Sequence, residues 1–315
     1  MSSATRRYVD MWAFLGMHPS NLEILQQLKS ADDRQFGANM DVCGTISELD
    51  PKTGQWNKTF MAGIRSDIWT PDKAELEKSL KAIHGRRAQK QRGSNKSDRR
   101  GRDKNPQPAD RLAEPAVEAL SIDDIEKRRL VTKLFRTTGK NIRWVGTMEE
   151  LTTREVHNSL GSKHPMLSLM AILSGHEYLT LVQQNHRTFR LPPIYTLCFH
   201  DERTKRTWYV NIKRKWFSIG ADYVLESAGK KIGEIDGKLI GFGYNAYVTV
   251  TEPTLAANSD FMDLVTLFAT TVGYHRAMRR SIRRRVAAAR NGNSECHVIE
   301  DEELWLLKNP RRRAA

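Results

Sequence analysis

The sequence predicts an α+β protein: a C-terminal antiparallel β-barrel around a central hydrophobic helix, preceded by a small N-terminal α+β segment and a disordered basic linker. Three observations carry this expectation. Short strand-like runs recur about every 10–15 residues between Tyr178 and Thr251, separated by glycine or charged turns. The segment Phe261–Tyr274 is apolar or small on nearly every side. Between Gly85 and Asn105 the chain carries nine arginines and lysines and almost no apolar side chain, so it cannot bury enough surface to offset its ordering entropy. These signals divide the chain into an α+β segment (1–83), a basic linker (84–118), a helical connector (119–175), the barrel with its closing helix (176–290) and a tail (291–315).

In the first segment, Arg6 and Arg7 precede a short apolar patch, Met11 to Met17, that Asp10 interrupts at its start. No small-residue cleavage site follows, so it does not read as a signal peptide. Pro19 and Ser20 open a short helix with Leu22, Leu25 and Leu28. The runs 41–49 and 55–64 flank Asp50-Pro51-Lys52-Thr53-Gly54 and predict a β-hairpin. Thr70-Pro71-Asp72 starts another helix, with Leu76, Leu80 and Ile83 at helical spacing. In the connector, Ser121 with Asp123, Asp124 and Glu126 ahead of Arg128, Arg129 and Lys133 complements a helix dipole and predicts a helix over 121–135. A second helix is expected over 148–160, with the strand-like 141–146 between the two. That gap is too long for a helix-turn-helix.

The barrel strands are expected at 178–184, 194–200, 207–213, 222–226, 232–236 and 245–251. The closing helix follows Asp260. At about 14 residues it spans roughly 21 Å, too short for a bilayer. A helix that is apolar all round and cannot live in lipid must be wrapped by its own chain. Beyond it, Met278, Ile282 and Val286 keep a narrow apolar stripe among Arg276, Arg279, Arg280, Arg283, Arg284 and Arg285. One or two arginines suit a helix C-terminus; six suggest contact with a polyanion.

The order of these features resembles the tubby C-terminal-like superfamily, which includes LURP-one-related proteins and phospholipid scramblases. The resemblance covers about residues 176–280. It is carried by Tyr195 to Val210, by the strand-Gly-Lys-strand unit Ala221 to Lys238, and by Phe261 to Tyr274. It implies a twelve-stranded barrel enclosing a hydrophobic helix. For function it implies a link to membranes, phosphoinositide head groups or nucleic acid, and no shared catalytic site.

The formal net charge is +14, from 51 Lys and Arg against 37 Asp and Glu. This balance favours an anionic phospholipid surface or nucleic acid as partner. Beside the six arginines, Lys213, Arg214 and Lys215 on one strand and Lys230 and Lys231 at a turn are candidate anion-binding residues. Lysines at strand edges and turns also simply suppress edge pairing. Cys43, Cys198 and Cys296 are odd in number and far apart, which argues against a disulfide framework and for a reducing, cytoplasmic setting. No apolar run is long enough for a membrane-spanning helix.

Motifs for phosphate loops, nucleophile elbows and dinucleotide binding are absent from the sequence. His157, His164, His176, His186 and His200 lack metal-ligand spacing. No cofactor, metal site or catalytic residue is therefore expected. The leading expectation is a non-enzymatic binding module that engages its anionic partner through the basic linker and the Arg-rich helix. The alternatives are an assembly subunit, with the N-terminal segment and the acidic-then-apolar tail 300–307 as protein contacts, and an enzyme resting on the histidines alone.

Overall fold

A computed structural model of the chain describes residues 4–12, 40–65, 129–139, 141–186, 192–216, 221–238 and 243–292. Twelve antiparallel strands close into one barrel. They are β1 (Thr5–Trp12), β2 (Met40–Leu49), β3 (Trp56–Arg65), β4 (Val131–Thr138), β5 (Asn141–Glu150) and β6 (Ser168–Leu173), then β7 (Thr180–Gln184), β8 (Ile194–Asp201), β9 (Arg206–Arg214), β10 (Tyr223–Ser227), β11 (Lys230–Lys238) and β12 (Gly243–Val250). Each strand pairs with its neighbours in sequence. β1 completes the ring, with Tyr8 opposite Ser47 of β2 on one side and Tyr247 of β12 on the other. Closure leaves no edge strand. Four helices complete the described fold: α1 (Thr152–Leu160), α2 (Pro253–Ala256), α3 (Ser259–Val272) and α4 (His275–Arg290).

The expected closed barrel around a hydrophobic helix is present. It is not confined to the C-terminal half. Residues 5–65 supply three strands of the same ring, so they are part of the barrel wall rather than a separate segment. The hairpin read at 41–49 and 55–64 is β2–β3, and the six strands read between 178 and 251 are β7 to β12. The connector is corrected: Val131 to Phe135 is strand, not helix, and so is Ser168–Leu173. β4, β5 and β6 are buried on both faces, the outer one by a second apolar cluster including Val42, Phe135, Trp144 and Met170. Strands buried on both sides lose the alternation that marks a strand in sequence, and a favourable charge order around 121–133 then reads as helix. The expected helices near 22–28 and 70–83, most of the linker, and the tail 300–307 lie outside the described residues.

The lumen is filled by α3. Every residue from Phe261 to Val272 is buried. Asn258, rather than Asp260, caps it, accepting from the amides of Asp260 and Phe261. Phe268 packs edge-on against Tyr195 of β8 and Tyr223 of β10, at ring separations of 5.3 and 5.6 Å. Thr266, Thr270 and Thr271 return their hydroxyls to carbonyls of the same helix, so they bring no orphaned donor into the lumen. On the opposite wall the helix comes so close that a Cβ on Gly146 would stand 2.9 Å from a methyl of Leu267.

The two barrel ends differ. At one, the even connections are tight turns. Ala228 and Gly229, with φ of 49° and 75°, make the β10–β11 turn, and α3 enters here, tied to Asp201 through Asn258. At the other end α3 exits, and here β1 and β3 end and β2 and β4 begin.

Candidate functional site

The exit end is built by α4. Its N-terminus begins beside β9, where the Arg214 guanidinium lies 3.3 Å from Nε2 of His275. Its far half reaches β5 and α1, where the Arg285 guanidinium lies 2.7 Å from the Glu155 carboxylate and 3.6 Å from Glu150. β9 and β5 are four places apart in the ring, so α4 lies across the barrel end. Met278, Ile282 and Val286, the stripe expected from sequence, are its buried contacts.

The six arginines of α4 from Arg276 to Arg285 divide by face. Arg276, Arg280 and Arg283 are exposed, and Arg279 and Arg284 are half-buried. Among the described residues, Arg276, Arg279 and Arg283 make no ion pair. Arg285 departs from the expectation of an anion-binding residue. It is 5% exposed and its charge is taken by two buried carboxylates, with the Ser281 hydroxyl 3.0 Å away. Burial and the neighbouring Glu150 push the Glu155 carboxyl well above its usual range, against the opposing pull of Arg285. This trio fastens α4 to α1 and β5.

The lysine candidates are not brought to the α4 face. Lys213 and Lys215 point outward from the wall, where Lys213 is paired with Glu226, and Lys215 lies 3.8 Å from Glu234. Lys230 and Lys231 sit at the tight-turn end, and Lys231 is 2.6 Å from Glu234. Charge matching along the outer wall accounts for Lys213, Lys215 and Lys231. Arg214 differs from its two neighbours. β9 buries Trp208, Val210 and Ile212, and Arg214 continues that inward register at the mouth.

Beneath α4, then, lies a cluster that sequence reading did not assemble: Arg214, His275 and Arg279 above the phenols of Tyr195 and Tyr223. Burial, with Arg214, Arg279 and Arg276 adding to it, pushes the His275 imidazole down to about 4, so it is neutral at pH 7. Burial pushes the Tyr195 hydroxyl up to about 12, and raises Tyr223 well above the usual phenol range. Among the described residues neither hydroxyl has a hydrogen-bond partner. Tyr244 closes the side of the mouth. Its ring occupies space left by Gly237 and Gly273, where a Cβ would approach it to 2.7 and 2.9 Å, and its hydroxyl donates to the Ala221 carbonyl. The signal available in sequence was the period-two register of β8, β9 and β10, which puts Tyr195, Arg214 and Tyr223 on one face.

His176 stacks on Phe199 and lies 3.2 Å from Glu202, and His200 bonds the Thr207 hydroxyl, both near the tight-turn end. Among the described residues no group of three or more His, Cys, Asp or Glu side chains is placed to hold a metal, and no helix is long and apolar enough to cross a membrane.

The architecture and this end define a closed antiparallel barrel with a helix-filled lumen and a basic helix across one mouth. Compared with protein-family models, curated proteins and solved structures, the chain shows no significant match.

Proposed function

We propose that the chain is a binding module that docks by its exit end onto an anionic phospholipid surface. The observation that carries this is the outer face of α4. Arg276 and Arg283 are exposed without an ion-pair partner among the described residues, whereas the wall lysines Lys213, Lys215 and Lys231 are matched by glutamates. Basic side chains on a helix face near an anionic leaflet each add attraction that falls away within a Debye length. Trp216, 65% exposed, follows Lys215 at this same end. An exposed indole beside basic residues suits the head-group layer better than a nucleic-acid groove. The resemblance to tubby-like and scramblase-like proteins supports the same reading, since a twelve-stranded barrel around a buried helix is what that resemblance implies. The basic run 85–105 lies in sequence between β3 and β4. A cytoplasmic setting fits a protein meeting an anionic leaflet.

The test is flotation of the full chain with vesicles of neutral or anionic lipid. Anionic vesicles should carry the protein up. The triple charge reversal Arg276→Glu, Arg280→Glu and Arg283→Glu should abolish that with little change in Tm, because all three side chains are exposed. Indifference to vesicles together with a steeply salt-dependent gel shift on duplex would make nucleic acid the partner. Binding to neither overturns the proposal.

A further inference from the structure

The inward side of the same barrel end carries a second feature with its own chemistry. Tyr195 and Tyr223 are fully buried, and their hydroxyls meet no partner among the described residues. Buried polar groups without a partner are rare, and here two lie together, on either side of Phe268 with their rings 6.2 Å apart. Around them positive charge comes from Arg214 and Arg279, and negative charge from Asp222, which acts on Tyr223, and Glu155, which acts on Tyr195. Arg214 is the register partner of Tyr223 across β9 and β10 and shares its inward face. Arg279 is one turn along α4 from His275, and both Arg279 and Arg214 lie near enough to act on the Tyr195 hydroxyl. Arg279 is itself more than half-buried and makes no ion pair among the described residues. A largely buried guanidinium with no counter-charge is unfavourable unless something anionic joins it.

We infer that the mouth beneath α4 is a binding site for a phosphate group, held by Arg214 and Arg279, by the hydroxyls of Tyr195 and Tyr223, and by His275. The donors come from three directions: the β8 and β10 walls, the end of β9, and α4 above. That arrangement suits a tetrahedral dianion better than a planar carboxylate, which two parallel donors from one guanidinium already satisfy. Two fixed positive charges match two negative ones.

His275 adds a sign to the pH dependence. The charged groups facing it are Arg214 from β9 and Arg279 and Arg276 from its own helix. Tyr195, Tyr223 and Tyr244 line the mouth below. The acidic groups nearby are Asp222, which acts on Tyr223 and Tyr244 and accepts from the Gly237 amide, Asp236, which acts on Tyr244, and Glu155, which acts on Tyr195. With the mouth empty, His275 stays neutral down to about pH 4. A dianion offsets the arginines and raises its pKa, so binding takes up a proton and tightens as pH falls.

The experiment is calorimetric titration of the full chain with inorganic phosphate, with sulfate for the pH series because it remains a dianion throughout. Wild type should bind phosphate and gain Tm on binding. Tyr195→Phe with Tyr223→Phe keeps the rings and removes only two unpartnered hydroxyls, so Tm without ligand should hold or rise while phosphate affinity falls at least about tenfold. Arg279→Gln should do the same to affinity, and His275→Asn should flatten the rise in sulfate affinity between about pH 8 and pH 6. Phosphatidic acid vesicles separate the sources. If soluble phosphate competes with them and the double phenylalanine variant loses them, the ligand is a lipid head group; if vesicle binding is unchanged while free phosphate binding is lost, it is a soluble phosphate. No heat with millimolar phosphate, or affinity unchanged in the double variant, overturns the inference. The double phenylalanine variant leaves the exposed arginines of α4 unchanged, so the two proposals fail independently.

Discussion

Two arginines end inside the protein, each tied to a carboxylate that α3 or the wall cannot leave exposed. Arg7 points inward from β1, with its guanidinium 2.6 Å from Asp263 and 3.1 Å from the Thr266 hydroxyl, and it also meets Glu48 and the Phe60 ring. Burial raises the Asp263 carboxyl, and Arg7 pulls it back down. Arg285 serves two acids, Glu150 and Glu155, so the trio holds one carboxylate more than it can neutralise. Replacing Arg285 with Ala strands both acids in the interior and should cost about 3–5 kcal/mol in chemical denaturation. The pH consequence follows from the direction of the Glu155 shift. Its folded pKa lies above the unfolded 4.5, so the folded state holds that proton longer. The associated stability is complete below about pH 4.5 and is lost as pH rises through the folded value. Glu155→Gln should therefore flatten Tm on the alkaline side of that window; a Tm–pH curve identical to wild type would refute the assignment. None of this was legible in sequence, because Arg285 sits in a run of arginines with nothing to mark it. Only the helix phase set by Met278, Ile282 and Val286 separates it from Arg283 and Arg284.

At the scale of elements, α3 was the most legible part of the chain, because uniform apolarity over fourteen residues has a single physical outcome in a protein that keeps it from water. β8 to β10 were legible for a related reason. Each alternates buried with partly exposed residues, which is the pattern of a wall with one face on the core. β4 to β6 were not, since their outer faces are also covered and their sequence reads as an unbroken apolar run or a charge gradient. β1 was hidden by Arg7, an inward arginine where the alternation calls for an apolar residue. The closeness of α3 to the wall gives a direct test. Gly146→Val would drive a side chain into Leu267 and Leu173 and the Ile172 carbonyl. Overpacking of this kind costs about 1–3 kcal/mol or more, whereas Leu267→Ala opens a cavity and should cost about 2–5 kcal/mol. If combining the two recovered most of the loss in denaturant melts, the contact would be confirmed. Strict additivity would mean that the helix and β5 do not touch as described.

At the scale of the whole molecule, the exit end owes its form to closure. Six strands come from residues 5–173 and six from 180–250, and α3 needs all twelve around it. The span 176–290, which the sequence marks as a barrel by itself, contains β7 to β12 and α3 but would present two bare edges, β7 without β6 and β12 without β1. It would also expose the side of α3 that packs on Gly146 and Arg7. Unpaired edges beside an apolar helix favour association over independent folding. Expressed alone, 176–290 should lack a cooperative thermal transition and should elute as aggregate in size exclusion. Co-expression with 1–175 should restore a monodisperse species with a single transition, since the missing strands carry the complementary register. A soluble, cooperatively melting 176–290 fragment would mean that the N-terminal strands decorate the barrel rather than close it. The mouth beneath α4 would then be left without the Glu150–Glu155 anchor that holds that helix across it.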